Sequence, residues 1–193
     1  MNNDGLKAET DKLVQDFLNG DIQAFNRLVL LFQTKIYNLA LNYVKNPEEA
    51  KDLAQDVFIT VYRSLPKLRE KEKFTPWLYQ IAINHCRNRY KKLSRRGYFS
   101  NISLDDEDTH LQLPGDEGPE ISLQRKNTIN LVRTTIDSLG EAEREILLLR
   151  DVQELAYDEI SAILDIPLGT VKSKLNRARS SLKERLKKIY RDL

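Results

Sequence analysis

The sequence predicts an all-α fold: two small helical domains, joined by a flexible acidic linker. Three observations lead there. Apolar residues recur at spacings of three and four along most of the chain, and no strand-like alternation stands out. That periodicity stops across residues 97–122, where glycine, proline and acids collect. Residues 155–182 then read as a short helix, a tight turn and a basic helix. A chain of 193 residues, 40% hydrophobic and 31% charged, suits two small units with thin cores and charged surfaces.

The elements follow in order. Leu13, Phe17 and Leu18 mark a first amphipathic helix, beyond which residues 1–20 say little. From Ala24 onward, Phe25, Leu28, Val29, Phe32, Ile36, Leu39, Ala40 and Tyr43 fall on one helix face. Asn46-Pro47-Glu48-Glu49 is a start signal, because Asn caps, Pro fits the first helical position and Glu49 stands three residues after the cap. The helix it opens carries Ala50, Leu53, Ala54, Val57, Phe58, Val61 and Leu65, and Pro66 ends it. A polar interval, Lys67 to Lys73, leads to a third long helix over about Thr75–Leu93.

Gly97, Pro114, Gly115, Gly118 and Pro119, with Asp105, Asp106, Glu107, Asp108, Asp116, Glu117 and Glu120, give the linker its composition, and no Lys or Arg interrupts Leu104 to Glu120. Helical spacing resumes at Leu123 with Ile129, Val132, Ile136 and Leu139, then Ile146, Leu147 and Leu149. Leu155, Ile160, Ile163 and Leu164 form the inner face of the next, short helix. Asp165-Ile166-Pro167-Leu168-Gly169 makes a tight connection, since Pro167 cannot lie in a helix interior. The last helix starts near Leu168 and buries Val171, Leu175, Ala178 and Leu182. At about 100° per residue its opposite face holds Gly169, Ser173, Asn176, Arg177 and Ser180, flanked by Lys172 and Arg179 on one side and Thr170 and Lys174 on the other. No acid occurs between Asp165 and Glu184. Charge runs at helix ends are usually just solvated. Here the turn, the buried stripe and the acid-free face coincide, which favours a helix lying in a DNA major groove.

The net charge of +2 hides this segregation: a basic run (Arg87, Arg89, Lys91, Lys92, Arg95, Arg96), the acidic linker and a basic C-terminal stretch. Cys86 is the single cysteine and the histidines number two, His85 and His110, so neither a disulfide nor a closed zinc site of these ligand types is available. With no glycine-rich phosphate loop and no Ser/His/Asp pattern, the chain reads as a non-enzyme with no cofactor and no small-molecule substrate. The lack of an apolar leader or a span of about 20 apolar residues reads as cytoplasmic.

At these motifs the sequence resembles the sigma-70 family of RNA polymerase sigma factors, in its extracytoplasmic-function (ECF) group. The matches are Leu139-Gly140-Glu141, residues 154–160 (ELAYDEI) and residues 167–179 (PLGTVKSKLNRAR) for region 4. For region 2 they are residues 20–43, residues 50–63 (AKDLAQDVFITVYR) and residues 74–82 (FTPWLYQIA). The resemblance implies region 2 over 1–96, a linker over 97–122 and region 4 over 123–193. It implies core RNA polymerase, through its β′ clamp and β subunit, as partner; promoter DNA, as duplex and as non-template single strand; and an anti-sigma protein, in many relatives tethered to the membrane, that clamps both domains.

Residue by residue, the resemblance puts the −35 element on Thr170, Lys172, Ser173, Lys174, Asn176, Arg177 and Arg179, with Arg177 suited to guanine O6 and N7. It puts polymerase docking on Asp52, Gln55, Asp56 and Phe58; the three polar residues lie within one turn, where carboxylates and amides take Arg partners. It puts the −10 element on Arg63, Arg69, Lys73, Phe74, Asn84, Arg87, Asn88, Lys91 and Lys92. There the Lys67–Lys73 loop and Asn84 capture a flipped base, while the cations, Arg89 among them, hold phosphates. Aromatics beside cations suit single-stranded DNA, but Trp77, Leu78 and Ile81 stand at core spacing, so Trp77 reads as core. Asn88 departs from the Asp that many relatives carry, which bears on the −10 preference. The acidic linker implies threading through the polymerase's basic cleft and exit channel; a plain spacer is the equal alternative for any single acid. A two-domain helix-turn-helix regulator that is not a polymerase subunit is the competing reading, and the residue 50–63 and 74–82 blocks count against it.

Overall fold

A computed structural model of the chain describes residues 3–98 and 119–192. Among these, eight α-helices and no strand occur: α1 (Asn3–Leu18), α2 (Ile22–Val44), α3 (Pro47–Ser64), α4 (Phe74–Arg95), α5 (Pro119–Asp137), α6 (Glu141–Leu147), α7 (Tyr157–Leu164) and α8 (Leu168–Asp192). Two short 3₁₀ turns, Leu65–Lys67 and Lys71–Lys73, join α3 to α4. A π-helical turn, Leu148–Val152, continues α6. The chain divides into two compact units, Met1–His110 and Leu111–Leu193. The acids Asp105 to Glu117, and with them the expected threading segment, lie outside the described residues.

In the first unit α2 packs on α1, α3 and α4. Its face of Leu28, Phe32, Ile36, Leu39, Ala40 and Tyr43 is buried, as the spacing predicts, with Leu53, Val57 and Val61 of α3 and Leu78, Tyr79, Ala82 and Cys86 of α4. Local chemistry sets the corners. Lys45 takes a left-handed conformation (φ 57°) and its N–H donates to Leu41 O, closing α2. Asn46 Oδ1 then accepts from Glu49 N–H at 2.9 Å, and Pro47 stands at the first helical position. These two residues turn α3 back against α2.

In the second unit α8 packs on α5, α6 and α7. Ile146, Leu147, Leu148, Leu149, Leu155, Ile160 and Ile163 form its core with Val171, Leu175 and Ala178. α5 begins at Pro119, four residues before the helical pattern becomes readable, because Pro is accepted in a first helical turn and apolar spacing shows only further in.

Phe74 corrects the sequence reading. It is 1% exposed, its ring lying edge-on to Phe32 (centroids 5.8 Å) and 6.1 Å from Trp77, so it cannot stack on a DNA base. As the first residue of α4 it closes the end of the core, and Leu78 and Ala82 continue its face at four-residue steps. Trp77 is half-buried beside it. Phe74→Ala is expected to lower unfolding stability by about 3–5 kcal/mol, measured by chemical denaturation; a wild-type midpoint would place the ring outside the core.

Candidate nucleic-acid interface

The recognition candidate in the second unit is built from a turn that sequence chemistry fixes. Asp165 ends α7 in the left-handed region (φ 53°), a conformation Asp tolerates better than most residues. Ser161 Oγ donates to Ile166 O at 2.6 Å, and Pro167 O accepts from Thr170 N–H at 2.8 Å and Val171 N–H at 3.0 Å. At the other end of α7, Glu159 reaches back to the Ala156 N–H at 2.8 Å. α8 therefore leaves the turn with a set rotation: Val171, Leu175 and Ala178 are 0–1% exposed. Lys172, Ser173, Asn176, Arg177 and Ser180 point outward, and Thr170 and Lys174 sit half-buried at the margins.

Two expectations change here. Leu182 is half-buried rather than core, and α8 runs on to Asp192 with Leu186 and Ile189, also half-buried, at the same spacing. Arg179 is not simply a flanking cation: it makes a forked ion pair with Asp151, its Nε 3.2 Å from Oδ2 and its Nη2 bonded to Oδ1. That bond raises the Arg179 pKa above its ordinary value. Further along, Ser181 Oγ donates to Glu143 at 2.8 Å and Arg185 Nη1 donates to Ser138 O at 2.7 Å, tying α8 to the start of α6.

In the first unit Asp52, Gln55 and Asp56 stand exposed on one ridge of α3, with Phe58 half-buried on the same helix. Ile59 and Tyr62, both exposed, extend this helix's outer surface, and neither was among the expected docking residues. Tyr62 packs on Phe17 and Phe25, with ring centroids 5.5 and 5.0 Å away. On α4, Asn84, Asn88, Lys91 and Arg95 share one exposed stripe, with Lys92 exposed and Arg87 half-buried beside it. Arg63 and Arg69 are exposed at the end of α3 and in the connecting loop, and Lys73 pairs with Glu70 at 2.6 Å.

Arg89 is the second cation the structure reassigns. Its Nη1 bonds Glu49 and its Nη2 lies 3.3 Å from Asp56, so it bridges α4 to α3 instead of waiting for phosphate. His85 Nε2 lies 3.1 Å from Thr60 Oγ1 across the same seam. Leu53, Asp56, His85, Asn88, Arg89 and Lys92 line a shallow depression of about 200 Å³ there. Asp56 of the expected docking ridge and Asn88 and Lys92 of the expected DNA stripe thus meet at one place. Among the described residues no cluster of His, Cys, Asp and Glu could hold a metal ion, and no helix is long and apolar enough to cross a membrane.

Both units have known counterparts. Residues 28–96 match the family model Sigma-70 region 2, and residues 129–182 match the model Sigma-70, region 4. The chain is 36% identical over 192 residues to the RNA polymerase sigma-H factor of Pseudomonas aeruginosa, an alignment that covers 97% of this chain and 99% of that one. The chain belongs to the sigma-70 family. Within it, the ECF RNA polymerase sigma-E factor of Escherichia coli K12 is 34% identical over 182 residues, covering 93% of this chain and 95% of the relative. Two solved structures share the fold. CnrH in complex with the cytosolic domain of CnrY covers 93% of this chain at a TM-score of 0.68 and 19% identity. The sigma factor RpoE of Bartonella quintana in complex with the anti-sigma factor NepR covers 86% at 0.61 and 23% identity. This sigma factor's region 2 match contains α3, α4 and most of α2, and its region 4 match contains α6, α7 and α8 as far as Leu182. The helix-turn-helix regulator reading is set aside, because its first unit would have to be something other than region 2.

Arg89→Met tests the seam. Losing two partly exposed ion pairs is expected to cost about 1 kcal/mol in denaturant unfolding, with the difference shrinking at high salt; an unchanged midpoint at low salt would mean that the bridge does not hold in solution.

Proposed function

We propose that this sigma factor binds core RNA polymerase and directs it to promoters by reading two elements. The Asp52–Gln55–Asp56 ridge of α3 docks on the β′ clamp, where Arg side chains meet carboxylate and amide oxygens. Region 4 rests on the β subunit and reads the −35 element as duplex, with Arg177 and Asn176 toward base edges and Lys172 and Lys174 toward phosphates. The loop before α4, Arg63, and the Asn84–Asn88–Lys91 stripe with Lys92 and Arg87 open and hold the −10 element on the non-template strand. Residues 1–96 and 123–193 act as the two readers, joined by residues 97–122, whose acids follow basic channels of the polymerase.

The protein contributes recognition, and nucleotide transfer belongs to the polymerase. An anti-sigma protein holds it inactive in the cytoplasm, in keeping with the anti-sigma factor NepR that accompanies RpoE in its structure. The single observation that carries this reading is the acid-free outer face of α8, set opposite a stripe that is 0–1% exposed.

The test is run-off transcription with purified core polymerase on a promoter library. Start-site selection that depends on added protein is expected, and transcripts no different from core alone would refute the reading. In the same assay Arg177→Ala is expected to lose about 1–3 kcal/mol of specific −35 binding while still co-purifying with core. Equal losses on selected and random duplex would exclude base reading.

A further inference from the structure

Asp151 is out of place if α8 lies on DNA. Its carboxylate is 38% exposed at the basic margin of the recognition helix, where charge alone makes an acid unfavourable beside phosphate. Yet the turn that carries it is firmly held. Leu148 and Leu149 are buried, Gln153 N–H donates to Leu148 O at 2.9 Å and Leu155 N–H to Leu149 O at 3.1 Å. Arg150 donates to Leu155 O at 2.8 Å and lies over the Tyr157 ring, 5.1 Å from its centroid. Asp151 is thus a fixed post, and what it touches is Arg179, 28 residues on.

The geometry of the pair is informative. Asp151 takes the Nε/Nη2 edge of the guanidinium. A guanidinium has five N–H donors in a rigid plane; the carboxylate takes two of them and the Tyr157 hydroxyl also interacts with the group, which leaves further donors for a second acceptor. An unheld Arg side chain that is 48% exposed would have to lose its rotamer freedom at the moment of binding.

We propose that Asp151 is a positioning residue for DNA: it holds Arg179 so that the guanidinium donors it leaves over meet a backbone phosphate beside the −35 element. This rests on the function proposed above. It makes a prediction whose sign opposes simple electrostatics, because removing this negative charge should weaken DNA binding.

The experiment is equilibrium binding of holoenzyme, across a salt series, to the upstream duplex that the wild type selects from a promoter library. Asp151→Ala is expected to bind about three- to tenfold more weakly than wild type and to lower the slope of log affinity on log salt by about one, as Arg179→Ala does. Asp151→Glu is expected to restore both, and the double variant D151A/R179A to bind no more weakly than R179A. Unchanged or tighter binding by D151A overturns the proposal. So does weaker binding with a wild-type salt slope, or a further loss on adding D151A to R179A, since either marks a brace for the turn rather than a held phosphate contact. A wild-type holoenzyme that selects no duplex overturns the functional reading and this role with it. Selection by the wild type beside an unaffected D151A overturns this role alone.

Discussion

Val171, Leu175 and Ala178 form one stripe of α8, and their burial where α8 packs on α5, α6 and α7 fixes the helix's rotation about its own axis. Turning the helix by one residue would carry that stripe about 100° toward solvent. Burying a Val or Leu side chain is worth about 1.5–3 kcal/mol. An exposed ion pair is worth about 1 kcal/mol at most. Packing therefore decides which residues face out, and Lys172, Ser173, Asn176 and Arg177 are presented because of what lies behind them. The same rule holds on α3, where buried Leu53, Val57 and Val61 leave Asp52, Gln55 and Asp56 on the outer ridge. Each surface is the complement of a hydrophobic contact, which is why the two readers can be described before any partner is bound.

Features written in neighbouring residues were legible in the sequence. The Asn46-Pro47 start, the Asp165–Gly169 turn and the apolar faces of α2, α3 and α8 depend on spacings of a few residues, and each is found where that spacing puts it, with half-buried Leu182 the exception on α8. Phe74 was misread although the signal was present. Its four-residue steps to Leu78 and Ala82 place it on the core face, but the nearby cations suggested a base contact instead. The ion pairs of Arg89 and Arg179 could not have been read from the sequence. Their partners stand 40, 33 and 28 residues away, and nothing local distinguishes a cation that is held from one that is open. The start of α5 was not legible for a different reason, since a helix can begin at Pro119 before any apolar repeat announces it.

The two reassigned arginines change how the charge on each unit is understood. A count of Lys and Arg treats every cation as equally available to phosphate. Arg89 is instead committed to Glu49 and Asp56, which puts a fixed link between α3, with the ridge proposed to meet the polymerase, and α4, with the stripe proposed to meet DNA. A partner that drew Asp56 away from Arg89 would act on the seam that Asn88 and Lys92 also line. Any coupling between the two surfaces of region 2 then has a short physical route, through one guanidinium rather than through the core.

Arg179 shows the other consequence of such pairing. A long cationic side chain carries about 2 kcal/mol of rotamer entropy, and most of this is lost whenever it is ordered. When an acid from a rigid neighbouring turn orders it in the folded protein, that loss belongs to folding and need not recur on binding. The acid reduces net positive charge at the surface, and so weakens long-range attraction for any duplex. In exchange the guanidinium is held in one orientation. If α8 reads DNA as proposed, an outward Arg177 beside a held Arg179 trades some indiscriminate attraction for register on the groove, the property that separates a promoter reader from a merely basic helix.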